Sequence, residues 1–280
     1  MSLSNKIDFA LVIKVENANP NGDPLNGNRP RTTSEGLGEI SDVAIKRKLR
    51  NRLQDEGENI FVQMEERSDD GARSLTDRMN TFLKTLNPSD RNQKTVVFND
   101  VCAKWMDVRT FGQVFAFKKG NDTDAVSLGV RGPVSIQSAF SVQPIAIDDV
   151  QITKSVNGEA TDSDKKSSDT MGMKYRVSGR AIYRTFGSIS TQLAEKTGFS
   201  DADAEKIKNA MLTLFEHDES SARPSGTMEV LKVVWFTHSN RNGQYSSAKV
   251  HRAVSIDAEG NVSVDDASIP GLQYAILDGR

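Results

Sequence analysis

Between Asn17 and Arg31 the chain reads NANPNGDPLNGNRPR, fifteen residues holding five Asn, three Pro, two Gly and two Arg. Chemically this is a donor-rich segment. Backbone N–H groups at Gly and Asn positions can form an anion-binding nest. The amides of Asn19 and Asn21 add donors, and Arg29 and Arg31 bring planar forks that match phosphate. Ten residues on, SDVAIKRKLRNR (41–52) carries five basic residues and one acid. Lys46, Arg47 and Arg50 there extend the same donor set, and Arg131 and Lys174 are candidates to prolong it. Aromatic residues are only 6% of the chain, which argues against a base-stacking platform. The expected chemistry is therefore contact with a phosphate backbone rather than reading of bases.

Other chemistries find little support. The chain has no G-x-x-x-x-G-K-[ST], no G-x-S-x-G and no H-E-x-x-H. DSDKKSSD (162–169) lacks the Gly and Glu that an EF-hand loop requires. A single Cys, Cys102, excludes a disulfide framework or a thiolate metal site within one chain, and it reads as a small core residue. His217 closes a helix, where the dipole favours a cation, and His238 and His251 are expected to be cross-strand neighbours. No cofactor and no metal are expected.

These donors need elements to hold them. Ile7, Phe9, Leu11, Ile13 and Val15 alternate, predicting a strand with one buried face just before the Asn-rich segment. Two Asn-Gly pairs and three Pro predict several turns within it. Ser41 to Leu53 predicts a helix capped by Ser41 or Asp42, with Ile45, Leu49 and Leu53 as its apolar stripe. Lys46 and Arg50 then flank the stripe on one side, Lys48 and Arg52 on the other, and Arg47 faces away. Weak helical spacing follows at 75–83 and again at 99–106. DVRTFGQVFAF from residue 107 and the stretch 129–147 read as extended, and KYRVSGRAIYRTF opens a new strand. Residues 153–173 are polar and read as an exposed insertion. Ser200 to His217 predicts a helix with a Ser200/Asp203 capping box. Met228 to Phe236 predicts a central strand, Asn242-Gly243 a hairpin turn, and 250–256 a returning strand. The order suits an α+β fold, an antiparallel sheet with helices on one face, of which the ferredoxin-like, RNA-recognition-motif topology is a leading member.

The 280 residues suffice for one large domain. Net charge is −2, which alone does not suggest a nucleic-acid binder, but its distribution does. Residues 55–70 hold seven acids and one Arg beside the basic stretch, so opposite patches could also join copies of the chain. No apolar leader opens the sequence and no run could span a bilayer, so the expected location is the cytoplasm with no membrane partner.

Several stretches resemble the backbone subunit of the type I-C CRISPR Cascade complex, of the RAMP superfamily. They are NANPNGDP after the first strand, RPRT at 29–32, the helix SDVAIKRKLRNRL, DVRTFG at 107–112, RGPVSIQSAFSVQPI at 131–145, TMGMKY at 170–175 and YRTFGSIS at 183–190. The resemblance runs from about residue 7 to 256. It implies one modified RNA-recognition-motif palm over 1–280, with fingers, in part about 55–95, and a thumb hairpin at about 148–173. It further implies a non-catalytic subunit that stacks head to tail along crRNA and grips its backbone. The thumb kinks the strand at regular intervals, and the exposed guide bases pair with target DNA. Met171 or Met173 would then be the apolar wedge, and further copies of the chain and the other Cascade subunits would be partners. Two other classes compete. One is a metal-independent CRISPR endoribonuclease of the same superfold, which would need a general acid or base beside the RNA. The other is an interaction protein whose Asn-rich loop is a lid.

Overall fold

A computed structural model describes residues 2–116, 127–153 and 170–280. Its first strand, β1 (Ile7–Glu16), leads into a small ribbon of β2 (Gly22–Asp23) and β3 (Arg29–Pro30), and then β4 (Leu37–Ile40). The helix α1 (Asp42–Asp55) follows, then α2 (Leu75–Thr85), α3 (Lys94–Lys104) and α4 (Met106–Phe111). Next come the strands β5 (Gly112–Ala116), β6 (Ser127–Arg131), β7 (Val134–Ile136), β8 (Ala139–Pro144), β9 (Ile147–Thr153), β10 (Thr170–Val177) and β11 (Arg180–Ile189). The C-terminal part holds α5 (Thr191–Thr197), α6 (Asp201–Leu212), β12 (Met228–Thr237), α7 (Ser247–Arg252), β13 (Val254–Ile256), β14 (Val262–Val264) and β15 (Gln273–Asp278).

The organising element is an antiparallel sheet in the order β15-β12-β1-β11-β8-β4, with β7 also paired to β11. β1 lies between β11 and β12, and the pleat sends its alternate side chains to opposite faces of the sheet. Ile7, Phe9, Leu11, Ile13 and Val15 point into the larger core, where α1 contributes Ile45, Leu49 and Leu53 and α6 contributes Ala204, Ile207, Ala210 and Met211. Thus the two long helices share one face, as expected of the α+β class. The spacing predicted one buried face for β1, but both are buried. Ala10 and Val12 point the other way, into a second cluster with Val250 of α7 and Val254 and Ile256 of β13.

Ser41 caps α1, its hydroxyl accepting from the Ala44 N–H at 3.3 Å. At α6 the capping box is complete, with Ser200 and Asp203 each accepting from the other's backbone N–H. That helix ends at Leu212, short of the predicted His217, yet Leu214 stays buried in turns beyond it. Apolar spacing outlasts the helix here.

Two segments take a different form from the one their sequence predicts. Residues 107–111 are helical, not extended. The Asp107 carboxylate is buried and accepts from the Phe61 and Val62 N–H groups at 2.7 and 3.1 Å. That tertiary contact overrides the β-branched local pattern. Residues 250–252 belong to α7, capped by the Ser246 hydroxyl on the Lys249 N–H. Asn242-Gly243 therefore leads into a helix rather than a hairpin, and extended structure resumes only at Val254.

A third cluster joins Phe61, Met79, Phe82, Val101, Trp105 and Phe115 from the segment preceding α2, from α2 to α4 and from the β5–β6 ribbon. Its aromatic rings meet edge to face, Trp105 against Phe61 and Phe82 with centroids 4.8 Å apart. Cys102 is buried there. The β9–β10 pair forms a separate two-stranded sheet with exposed Ile152 and Met173. Among the described residues no helix is long and apolar enough to cross a membrane, and no cluster of three metal-ligating side chains occurs.

Candidate nucleic-acid interface

The Asn-rich segment is built inward before it offers anything outward. Asn17 takes a positive φ of 52° and bonds the turn at Gly179 through its backbone N–H (2.9 Å) and its side-chain oxygen (3.1 Å). Asn19 is buried, and its amide donates to the Asn28 carbonyl at 2.7 Å. Asn21 sits at the start of α1, where its Oδ1 accepts from both the N–H and the hydroxyl of Ser41 at 2.9 Å. Both amides therefore shape the loop and hold it against the helix. Gly27 and Asn28 close the β2–β3 ribbon with positive φ, as the turn-rich composition requires.

The two arginines of this segment differ. Arg29 forms a bidentate pair with Asp149 of β9, at 2.7 and 2.5 Å, and its guanidinium lies 4.2 Å from the Tyr175 ring of β10. It ties the loop to the β9–β10 hairpin. Arg31 approaches Asp23 only at 3.7 Å, and its buried Nε has no hydrogen-bond partner among the described residues. A half-exposed guanidinium with unused donors is the better placed of the two for an added anion.

On α1 the cations are also unequal. Lys46 pairs with Asp42 one turn back at 3.0 Å. Arg50 donates from Nε to the buried Asp107 at 2.9 Å and lies over the Phe111 ring. Lys48 is buried in an ion pair with Asp218, and burial pushes its pKa down. Arg52 meets Thr213 at 2.7 Å and Glu216 at 3.2 Å. Arg47 does not turn away to solvent. It is half-buried and donates to the Val62 carbonyl at 2.6 Å, with no carboxylate in hydrogen-bond reach among the described residues. Burial and repulsion from Arg50 both lower its pKa, against the attraction of Asp107. It is an under-compensated cation, which an incoming phosphate would stabilise.

Arg47 opens onto a cleft of about 370 Å³ between the 20–22 turn, the exposed side of α1, the 64–67 turn and residues 217–223. Arg67 and Arg223 line it too, and reading the sequence did not single them out. Arg67 pairs with Asp55 at 2.6 Å and donates to the His217 carbonyl at 3.2 Å, and Arg223 pairs with Asp218 at 3.2 Å. Both sit in turns outside α1, Arg67 twelve residues beyond its end and Arg223 far along the chain, so the periodicity of α1 does not signal them. The cleft can take a phosphate or a short run of backbone, with Arg47 as its unbalanced charge.

The remaining candidates lie elsewhere. Arg131 is exposed on β6 in the β5–β6 ribbon, and Lys174 is half-exposed on β10. Neither side chain has a partner among the described residues. Met173 on β10 is 46% exposed. Residues 154–169 and the Met171 side chain lie outside the described residues. The structure thus brings the Asn21 turn and Arg47 together, and Arg29 beside the strand of Lys174, while Arg131 sits on the third cluster.

The chain is similar to several known proteins. The CRISPR-associated protein Cas7 of Haloferax volcanii is 28% identical over 222 residues, covering 74% of this chain and 63% of that protein's length. Two solved chains are distantly similar. One, named CRISPR RNA-guided surveillance complex, pre-nicking, is 18% identical with a TM-score of 0.49, covering 82% of this chain and 75% of its own. The other, named CRISPR RNA-guided surveillance complex, is 15% identical with a TM-score of 0.48, covering 91% and 77%. The family described as CRISPR-associated protein Cas7 matches residues 5–270. With nearly its whole length so matched, the chain belongs to the Cas7 family.

Proposed function

We propose that the chain is a non-catalytic guide-RNA-binding backbone subunit of a type I-C Cascade complex in the cytoplasm. Copies of it stack head to tail along the crRNA, an arrangement that heterologous contacts extend without closing into a ring. Each copy holds phosphates in the α1 cleft and leaves the bases free to pair with target DNA, so guide pairing reads the sequence. The sheet with α1 and α6 acts as the palm. The unit of α2 to α4 with β5 and β6, which takes in 75–95 of the 55–95 insertion, acts as fingers. The β9–β10 hairpin acts as the thumb, and Met173 is the wedge candidate with a described side chain. The other Cascade subunits complete the assembly.

The observation that carries this reading is Arg47, a half-buried cation without a carboxylate partner among the described residues, opening on a cleft edged by Arg67, Arg223 and the Asn21 turn. Co-expression with a CRISPR array and the companion subunits tests it. The expected result is a large assembly holding RNA of one defined length. Arg47→Ala should weaken RNA binding by about tenfold and lower its salt slope by about one. A nucleic-acid-free monomer from the same co-expression would overturn the reading. Metal-independent cleavage of a hairpin RNA by the purified chain would replace it with the endoribonuclease.

A further inference from the structure

The sheet face opposite α1 and α6 holds a second charged cleft, remote from the Asn-rich loop. It encloses about 460 Å³ between β11 on one side and α7 with β13 on the other. Arg184 on β11 and Arg252 on α7 line it, both exposed and both without a hydrogen-bond or ion-pair partner among the described residues. Between them Phe186 stacks on the His251 ring, with centroids 5.1 Å apart and planes at 25°. Phe140 of β8 stands directly opposite Arg184 in the strand pairing, so the two share this face, and Phe140 is 37% exposed.

The acids nearby are already engaged or stand aside. The Asp257 carboxylate accepts from the N–H groups of Glu259 and Asn261 and from the Asn261 amide. Asp8 lies beneath the cleft floor, fully buried, bonded to His238 at 2.7 Å and Lys6 at 2.9 Å. Glu39 stands directly opposite Phe140 on β4, so it lies on this face too, one strand further from Arg184. The cleft therefore presents two free guanidinium groups beside aromatic rings. That combination suits alternating phosphates and flat bases better than an acidic peptide, which has no use for the rings. The volume is sufficient for a nucleotide.

We propose that this cleft is a second nucleic-acid site, which takes a single strand other than the one in the α1 cleft. Arg184 and Arg252 hold successive phosphates and the exposed Phe140 ring stacks a base. The contacts are sequence-tolerant, because every base has a stacking face. This inference does not depend on the α1 reading, since the two clefts share no residue.

The test measures anisotropy of fluorescein-labelled oligo(dT) on the full chain carrying one equivalent of unlabelled RNA. Combined Arg184→Ala and Arg252→Ala should weaken the labelled strand by about tenfold while the unlabelled RNA is retained. Phe140→Ala should weaken it by about threefold or more. Iodouracil photo-cross-linking on the unsubstituted protein should mark Phe140, Phe186 or His251, which guards against a variant that merely misfolds. Unchanged affinity in the double variant, or cross-links confined to other segments, would overturn the proposal. So would equal displacement of the strand by polyglutamate, which would make the cleft a docking site for an acidic protein. Failure of the α1 reading would show separately, as loss of the unlabelled RNA.

Discussion

Gly38 shows how closely β4 approaches the core. A β-carbon there would stand 2.2 Å from the Tyr183 hydroxyl oxygen. Tyr183 is fully buried, its hydroxyl has no hydrogen-bond partner among the described residues, and burial pushes its pKa up. Gly38→Ala should therefore destabilise the fold by about 1–3 kcal/mol in urea unfolding, through overpacking, and a change within error of zero would refute this contact. Cys102 makes a complementary case. Burial raises its pKa to about 11, against a small opposing effect of Arg109, so at neutral pH it is a protonated core thiol. Its labelling by a disulfide reagent should follow the rate of protein opening rather than of reaction at a free thiol. The composition alone pointed to a core Cys. Nothing in it pointed to the Gly38–Tyr183 contact, which joins positions far apart in sequence.

Elements whose causes are local could be read from the sequence, and those with distant causes could not. α1, α6 and β1 carry their own caps or alternation, so periodicity located them. The helical form of α4 depends on Asp107 reaching Phe61 and Val62, and the burial of Lys48 depends on Asp218, 170 positions away. The candidate site shares that division. The basic content of α1 was legible, but the partner of each cation was not, and those partners leave Arg47 and Arg31 as the under-used ones. The anchoring of α1 yields a prediction. Asp218→Ala leaves Lys48 buried without its carboxylate and should cost about 3–5 kcal/mol. Adding Lys48→Met should recover much of that loss, because the buried charge is then gone. Thermal or chemical unfolding of the single and double variants decides it, and no recovery would mean that Asp218 acts mainly through Arg223.

At the scale of the molecule, Asp8 connects elements on different sides of β1. It accepts from His238 beyond β12, lies 3.6 Å from His251 of α7 and pairs with Lys6. Burial pushes its carboxyl up, but hydrogen bonds from His238, His251, Ser247 and Lys6 outweigh that and hold it well below the usual carboxylate range. A depressed carboxylate pKa stabilises the fold above its unfolded value, about 3.9. That contribution is lost as pH falls below about 3.9 towards the folded value. Asp8→Asn should be less stable at neutral pH and should lose stability less steeply below about pH 4. Acid unfolding curves of the two proteins with the same slope would exclude Asp8 as a source of the acid sensitivity.

The clasp between Arg29 and the β9–β10 hairpin has a mechanical consequence. Its ion pair is solvent-facing, so counterions loosen it, whereas the stacking on Tyr175 persists. Added salt thus weakens one tie between the hairpin and the loop and leaves in place the ring stacking and the bond from the Val177 N–H to the Ala18 carbonyl at 2.9 Å.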